Sequence, residues 1–571
     1  MKGYEFIVDT FEKYGVTSFF YVETIFQNVI RELKKKGIKT VLAHSENAAG
    51  YMADGYSRAT LKPGICAAQS IGVANLAGGI NEARLANSPV IAFTGKKQAN
   101  LQYTGAYQEG EHRLLFEGIT KFNAELEDTR HLPYLLRRLF KDAVTGKPGP
   151  VHLDLPNNCG ITTEFADFDE KELYVQEEYI SYPPFRPTVI DGKKLAEAAD
   201  AIKVAKKPLF IVGRGAIISE AGKELYALAK KADIPIVTTP DGKTIIDEDD
   251  SLWAGIIGTY GMVCANNTAL NADLAIIVGS QASDQATTGW SMPPRDVKAI
   301  QIDIDPSELG MKYPNVIGLL GDAKIVLQQL GDVVKGATRP DWRKEVSENV
   351  NATLNEYKDL QAQDSEVISP ERLCLEITRA LPDDAILFSD TGNSAIWSSI
   401  MVRMKKTQRF YRAAGSLGWG FPASIGAKCG LPDKSIYCFC GDGAIYYHLC
   451  EMETAVRNGI NTVTIINNNG GFVQTREMLD IVYEDESEES KKKTYQFSSH
   501  VEFSKVAEAM GCWAKRVTDA NDILPAIKEA AASKRPAVVE VITSESYPPN
   551  PRSNAVRPLY GFTRHSSTKK P

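Results

Sequence analysis

With 571 residues the chain is too long for a single core, and three or four domains are expected. A formal charge of −7 argues against non-specific nucleic-acid or anionic-membrane binding, and no apolar run approaches the length of a membrane span. Nine cysteines, most of them inside apolar runs (Cys66, Cys374, Cys438, Cys440), and an opening without a basic-then-apolar signal pattern point to a reducing cytoplasm.

Residues 1–165 alternate strand and helix patterns, which implies a parallel sheet. Val16–Tyr21, Thr40–Ala43, Gly64–Ala68 and Ser88–Phe93 read as short buried strands. Ser45 is placed to N-cap a helix running through Ala49, Met52 and Tyr56. Residues 166–190 turn acidic and then Tyr/Pro-rich, an extended linker. A second α/β unit is expected over 190–335, with strands at Pro208–Val212, Ile234–Thr238, Asp273–Val278 and Ala299–Asp303. Gly213-Arg214-Gly215 lies between its first strand and a helix, as in nucleotide-binding folds, but the last glycine of a full dinucleotide fingerprint is missing. After a charged helical stretch, a third α/β unit spans 369–545. Residues 546–571, with prolines at 548, 549 and 551, read as a loop or lid.

The third unit holds the most informative stretch. Ser435–Cys440 reads as a buried strand, followed by Gly441-Asp442-Gly443-Ala444 and a helix closed by Gly459. Thr462–Ile466 is a second buried strand, followed by Asn467-Asn468-Asn469-Gly470-Gly471. Asp442 and Asn469 thus stand at two strand ends, where open α/β sheets bind ligands. Their oxygens suit a hard cation such as Mg²⁺, which fills its shell with phosphate oxygens, and glycine N–H groups at a helix start favour those phosphates.

Gly-Asp-Gly with Asn-Asn at this spacing, bracketed by two strands, resembles the thiamine diphosphate signature of the acetolactate synthase-like enzymes. The stretch from His44 to Arg58, followed by Lys62-Pro63-Gly64-Ile65, is similar to that family's segment around its catalytic glutamate, here Glu46. A carboxyl group at the aminopyrimidine favours the imino tautomer that takes the thiazolium C2 proton. Asp390 to Ser394 resembles the diphosphate-contacting segment, through Gly392, Asn393 and Ser394. Gly415-Ser416-Leu417 resembles the loop that sets a bulky apolar residue, Leu417, beneath the cofactor. Gly441, Asp442, Gly443, Ala444, Asn469, Gly471 and Phe472 complete the implied cofactor contacts, with Asp442, Asn469 and the Gly471 carbonyl as metal ligands. Tyr107-Gln108-Glu109 matches a segment near the substrate and makes Gln108 an active-site side chain or a surface amide.

The middle unit resembles the family through Gly255–Thr259, Asn271–Leu274, Gln301–Pro306 and Gly321–Ala323. There the family binds a non-redox FAD or, in one branch, ADP, which implies Gly213, Arg214, Gly215, Gly279, Asp303, Ile304, Asp322 and Ala323 as contacts. The arginine-rich segment of the family is replaced by Gln281–Gln285, and a usual arginine by Lys147. FAD, ADP and an empty site all stay open. The family's Gly-x-Pro-Gly turn is replaced by Tyr21–Ile25, which turns the carboxylate of Glu23 to the substrate or to a helix cap. The charged run Glu484–Lys493 reads as a solvated loop.

The fold class expected is therefore α/β, with three doubly wound parallel-sheet domains: pyrimidine, central nucleotide-binding-like and diphosphate. In this family the cofactor bridges different subunits, which implies a homodimer or homotetramer. The implied activity is cleavage or formation of C–C bonds beside the carbonyl of a small-molecule substrate, foremost 2-oxo acid decarboxylation with carboligation. Non-decarboxylating cleavage of a dione or 2-hydroxyacyl-CoA is one alternative; a non-catalytic regulatory homologue is another.

Overall fold

Three six-stranded sheets, every strand pair parallel, carry the chain; the computed structural model describes residues 1–549 except 23–24, 157–159, 190, 364, 484 and 499–500. The first sheet contains β1 (Ser18–Tyr21), β2 (Lys39–Leu42), β3 (Gly64–Gln69), β4 (Val90–Gly95), β5 (Phe122–Glu125) and β6 (Val151–Leu155) in the order β2-β1-β3-β4-β6-β5. The second contains β7 (Pro208–Val212), β8 (Ile236–Thr238), β9 (Trp253–Ile256), β10 (Leu274–Val278), β11 (Lys298–Asp303) and β12 (Val316–Leu320). Its order is β12-β11-β10-β7-β8-β9, that of a dinucleotide-binding doubly wound sheet. The third contains β13 (Ile386–Ser389), β14 (Arg409–Arg412), β15 (Ile436–Gly441), β16 (Val463–Asn468), β17 (Trp513–Val517) and β18 (Ala537–Ile542). Its order, β14-β13-β15-β16-β18-β17, repeats the topology of the first. The first and third units share one topology, a likeness the sequence does not display.

Parallel sheets covered on both faces need strands that are apolar throughout, and β4, β7 and β10 are buried at every position. Ser45 caps the Glu46–Thr60 helix as expected, its Oγ accepting the Ala48 N–H at 3.2 Å. That helix crosses the Gly420–Gly430 helix where only glycine fits. A Cβ on Gly55 would lie 2.0 Å from the Ala423 carbonyl oxygen, and one on Gly426 would lie 1.8 Å from that of Met52. This crossing lets Met52, Ala53 and Tyr56 share one core with Phe421, Ile425 and Cys440, so the first and third units are packed as one body.

Residues 166–189 run as an extended connection, as expected, but a packed one: Tyr179 and Tyr182 are buried in the core of the first unit, and the Tyr182 hydroxyl donates to the Ser57 carbonyl at 3.1 Å. One expectation changes: from Glu488 on, the charged run is not a loop but the helix Glu488–Tyr495. Its Lys491 is buried against Asp480 at 2.8 Å, and Tyr495 is buried beside it. No helix among the described residues is long and apolar enough to cross a membrane.

Candidate active site

The C-terminal ends of β13 and β15, neighbours where the strand order reverses, open onto a cavity of about 560 Å³. Loops leaving such a point diverge, which makes room for a ligand. Gly392, Asn393, Ser394, Gly415, Leu417, Gly441, Asp442, Gly443, Ala444, Asn469, Gly471 and Phe472 all line it; Ser416 does not.

Asp442 follows β15 directly and is buried, its two oxygens accepting the N–H groups of Gly443 and Gly470, each at 2.7 Å. Burial still pushes its pKa up to about 7, against the lowering effect of the surrounding N–H groups. The asparagines at the end of β16 diverge in use. Asn467 accepts the Thr543 hydroxyl at 2.5 Å, Asn468 donates to Glu540 at 2.8 Å, and the Asn469 Oδ1 is buried with no hydrogen-bond partner. An under-compensated carboxylate and an orphaned amide oxygen on one wall are the oxygen donors that a hard cation takes. The set has one charge and no imidazole or thiolate, which fits Mg²⁺ completing its shell on phosphate. Phe472 fills the space where a Gly443 side chain would go: a Cβ there would lie 2.3 Å from its Cε1.

Leu417 is half-buried on the crest of the 413–419 loop. Asp390, at the end of β13, clamps one flank by accepting the N–H groups of Gly418 at 2.9 Å and Gly420 at 2.6 Å. Arg412, the last residue of β14, stands on the same wall and is paired with Asp241 at 2.8 Å and the Gln285 oxygen at 2.6 Å.

Glu46 opens its helix half-buried, and its Oε2 accepts the Asn75 amide at 3.2 Å. Gly72 packs so closely that a Cβ there would lie 2.2 Å from the Glu46 Oε1. Glu46 is not on the wall of the Asp442 cavity of its own chain. Gln108 is half-buried at φ +61° in a loop away from that cavity, beside Glu109, which accepts the N–H groups of Gly105 and Ala106 at 3.1 Å. Glu23 lies outside the described residues.

A second cavity, of about 470 Å³, opens at the strand-order reversal of the second sheet, between β7 and β10. It is lined by Gly213, Arg214, Gly215, Gly279, Asp303, Ile304, Asp322 and Ala323. Gly279 has φ +56°, and a Cβ on Gly215 would meet its Cα at 2.8 Å, so the backbone itself forms the floor. Asp303 is buried, and that burial raises its pKa to about 6. The cations on the wall are already engaged: Arg58 with Asp54 and Glu82, Lys147 with Asp305 and Glu308, Arg412 with Asp241, and Arg214 with the Ala86 carbonyl. The acidic and backbone surface fits the hydroxyls and ring of a nucleoside; of the four cations only Arg214, held by the Ala86 carbonyl and the Ser88 hydroxyl, has no carboxylate partner to compete with a diphosphate.

Sequence reasoning missed Arg412 and Tyr260 on the first cavity and Glu82 behind it, and it placed Gln285, which lines both cavities, at the central site alone. The only sequence signal was Arg412 ending an otherwise strand-like Arg409-Phe410-Tyr411-Arg412, since their roles depend on contacts between units.

A crevice at a sheet reversal, with a cation-type oxygen pair over a glycine cradle, is the kind of site that takes a phosphorylated ligand through a metal ion. Family models agree and are more specific. Residues 1–114 match the N-terminal TPP binding domain of thiamine pyrophosphate enzymes, 195–330 their central domain and 390–541 their C-terminal TPP binding domain. The chain is 31% identical to a probable acetolactate synthase large subunit of Methanococcus aeolicus, over 88% of this chain and 85% of that one. It is 31% identical to the acetolactate synthase large subunit of Corynebacterium glutamicum, over 89% and 81%. A probable acetolactate synthase large subunit of Methanocaldococcus jannaschii is 30% identical over 98% and 96%. The chain belongs to the thiamine diphosphate enzymes of the acetolactate synthase-like family.

Proposed function

We propose that this enzyme decarboxylates a 2-oxo acid and joins the remaining acyl fragment to a second carbonyl, using thiamine diphosphate held through Mg²⁺ in the Asp442 cavity. When bound, the cofactor supplies a nucleophilic carbon and then an electron sink. Asp442, the Asn469 Oδ1 and the Gly471 carbonyl hold the metal. Gly392, Asn393, Ser394, Gly441, Gly443 and Ala444 receive the diphosphate, and Gly415 and Leu417 support the rings, with Ser416 between them in the chain but off the cavity wall. Glu46 sets the protonation of the aminopyrimidine from a second copy of the chain, because it does not reach the Asp442 cavity of its own. That division makes the working unit a homodimer or a pair of dimers. The exposed Ile71 beside Gly72 and Tyr447 on the cavity rim suit such an interface. Glu23, Gln108 and Phe472 are assigned to the substrate side.

The observation that carries this reading is the buried Asp442 carboxylate sharing a wall with the orphaned Asn469 oxygen. It is tested by CO₂ release from a panel of 2-oxo acids, with and without thiamine diphosphate and Mg²⁺. Release that needs both and disappears in Glu46→Gln supports it. No release from any acid, with turnover of a dione or 2-hydroxyacyl-CoA instead, would replace decarboxylation by direct C–C cleavage. For the central cavity we assign a non-redox adenine nucleotide, FAD foremost, on the glycine floor and Asp303. A flavin absorbance band in the purified protein supports FAD; its absence together with released ADP favours the other.

A further inference from the structure

Beyond the residues that would touch the cofactor, one fully buried carboxylate faces the loop that carries Leu417. Glu82, on the Gly72–Leu85 helix of the first unit, is 0% exposed. Its Oε1 accepts the N–H of Ala414 at 2.5 Å, and its Oε2 accepts those of Gly415 at 3.1 Å and Ser416 at 3.0 Å. Three consecutive backbone N–H groups converging on one anion form a nest, although this segment belongs to no helix or strand and Gly415 is solvent-exposed. Asp390 takes the N–H groups of Gly418 and Gly420 on the other flank, so Leu417 is the residue left between two carboxylate clamps.

Glu82 is itself fixed. Arg58 donates to its Oε1 at 3.0 Å, pairs with Asp54 at 2.9 Å through Nε, donates to the Arg412 carbonyl at 2.7 Å and lies 4.3 Å over the Trp419 ring. Trp419 closes the cluster by donating to Asp54 at 2.8 Å. One guanidinium faces two carboxylates here, so the second negative charge is balanced by the loop N–H groups rather than by Arg58 alone. A spectator ion pair would leave those N–H groups to water.

We propose that Glu82 is a positioning residue of the thiamine site: it anchors the backbone of residues 414–416 and so sets the height at which Leu417 stands beneath the cofactor. This inference rests on the cofactor placement given above. A loosened loop would leave the carbonyl substrate's binding unchanged and lower the rate of steps that need the cofactor held in its reactive shape.

The test uses the full-length protein and two variants. Glu82→Gln puts an amide N–H against a backbone N–H. Glu82→Asp keeps the charge beside Arg58 but withdraws the oxygens by about one C–C bond. In cofactor-free wild type, the amides of 414–416 should be protected from hydrogen exchange, and both variants should lose that protection by about tenfold or more while the amides of β15 hold theirs. With thiamine diphosphate and Mg²⁺ added, exchange of the cofactor's C2 proton and kcat should fall together by about tenfold, with the substrate KM within about twofold. Unprotected 414–416 amides in wild type would overturn the proposal, whether or not the variants fold. So would Glu82→Asp with wild-type C2 exchange, which would reduce Glu82 to a charge partner of Arg58. If wild type itself fails to accelerate C2 exchange over free cofactor, the cofactor reading fails instead.

Discussion

Gly72→Ala separates catalysis from folding at a single methyl group. The glycine is the first residue of a helix, and its φ is not in the positive region, so alanine fits the backbone and gains up to about 1 kcal/mol of helix propensity. The new Cβ would lie 2.2 Å from the Glu46 Oε1, 2.8 Å from its Cδ and 3.1 Å from its Cγ. Ordinary contact begins near 3.5 Å, so the carboxylate must retreat by roughly 1 Å or more. It is the free end of a flexible side chain, and that retreat costs the fold little. The Asn75 hydrogen bond at 3.2 Å goes with it. Misplacing a catalytic group by about 1 Å costs on the order of 10²-fold in rate. The expected outcome is a thermal midpoint at or above wild type, with kcat/KM for the 2-oxo acid and C2 proton exchange both down about 10²-fold. Gly72→Ala with wild-type turnover, while Glu46→Gln is inactive, would show that Gly72 does not set the Glu46 position.

Other substitutions report on other parts of the site. Asn469→Ala removes an acceptor that has no partner in the metal-free protein, so its stability should change little, while calorimetric affinity for thiamine diphosphate with Mg²⁺ should fall about tenfold or more. Asp303 is raised from 3.8 to about 6 by burial. Its favourable contribution is therefore complete below pH 3.8 and lost as pH rises through 6, a change of about 3 kcal/mol. In nucleotide-free protein, Asp303→Asn should match wild type in urea unfolding at pH 4 and exceed it at pH 7.5; a gap that does not widen with pH would contradict the assigned burial. Gly426→Ala should cost at least about 3 kcal/mol, because its Cβ would lie 1.8 Å from the Met52 backbone oxygen, and backbone cannot swing aside. A soluble variant with an unchanged melting point would show that the two helices separate freely.

What the sequence made legible follows the physics of buried strands. β15 and β16 read as apolar runs because both faces of a parallel sheet are covered, and the polar residues that break those runs, Asp442 and Asn469, stand out for that reason. β5 was missed because Phe122-Asn123-Ala124-Glu125 is an edge strand, half-buried at each position and without an apolar run. The Glu488–Tyr495 helix was hidden by its charges, since only the contact of Lys491 with Asp480 and the burial of Tyr495 show that one face is covered. Glu82 looks in sequence like any acid on an amphipathic helix; its partners at 414–416 are 332 to 334 positions away. The shared topology of the first and third sheets was equally invisible, because strand order is set by crossovers and leaves no local pattern.

The central claim is that one thiamine site is built from the Glu46 half of one copy and the Asp442 half of another. Mixing Glu46→Gln protein with Asp442→Ala protein after subunit exchange tests it directly. Two inactive variants should together recover about one quarter of wild-type turnover, since random pairing makes half the dimers mixed and each mixed dimer holds one intact site. If each variant is inactive alone and the mixture, with exchange verified, stays inactive, the site does not lie across two copies and the assignment of Glu46 to the partner is wrong.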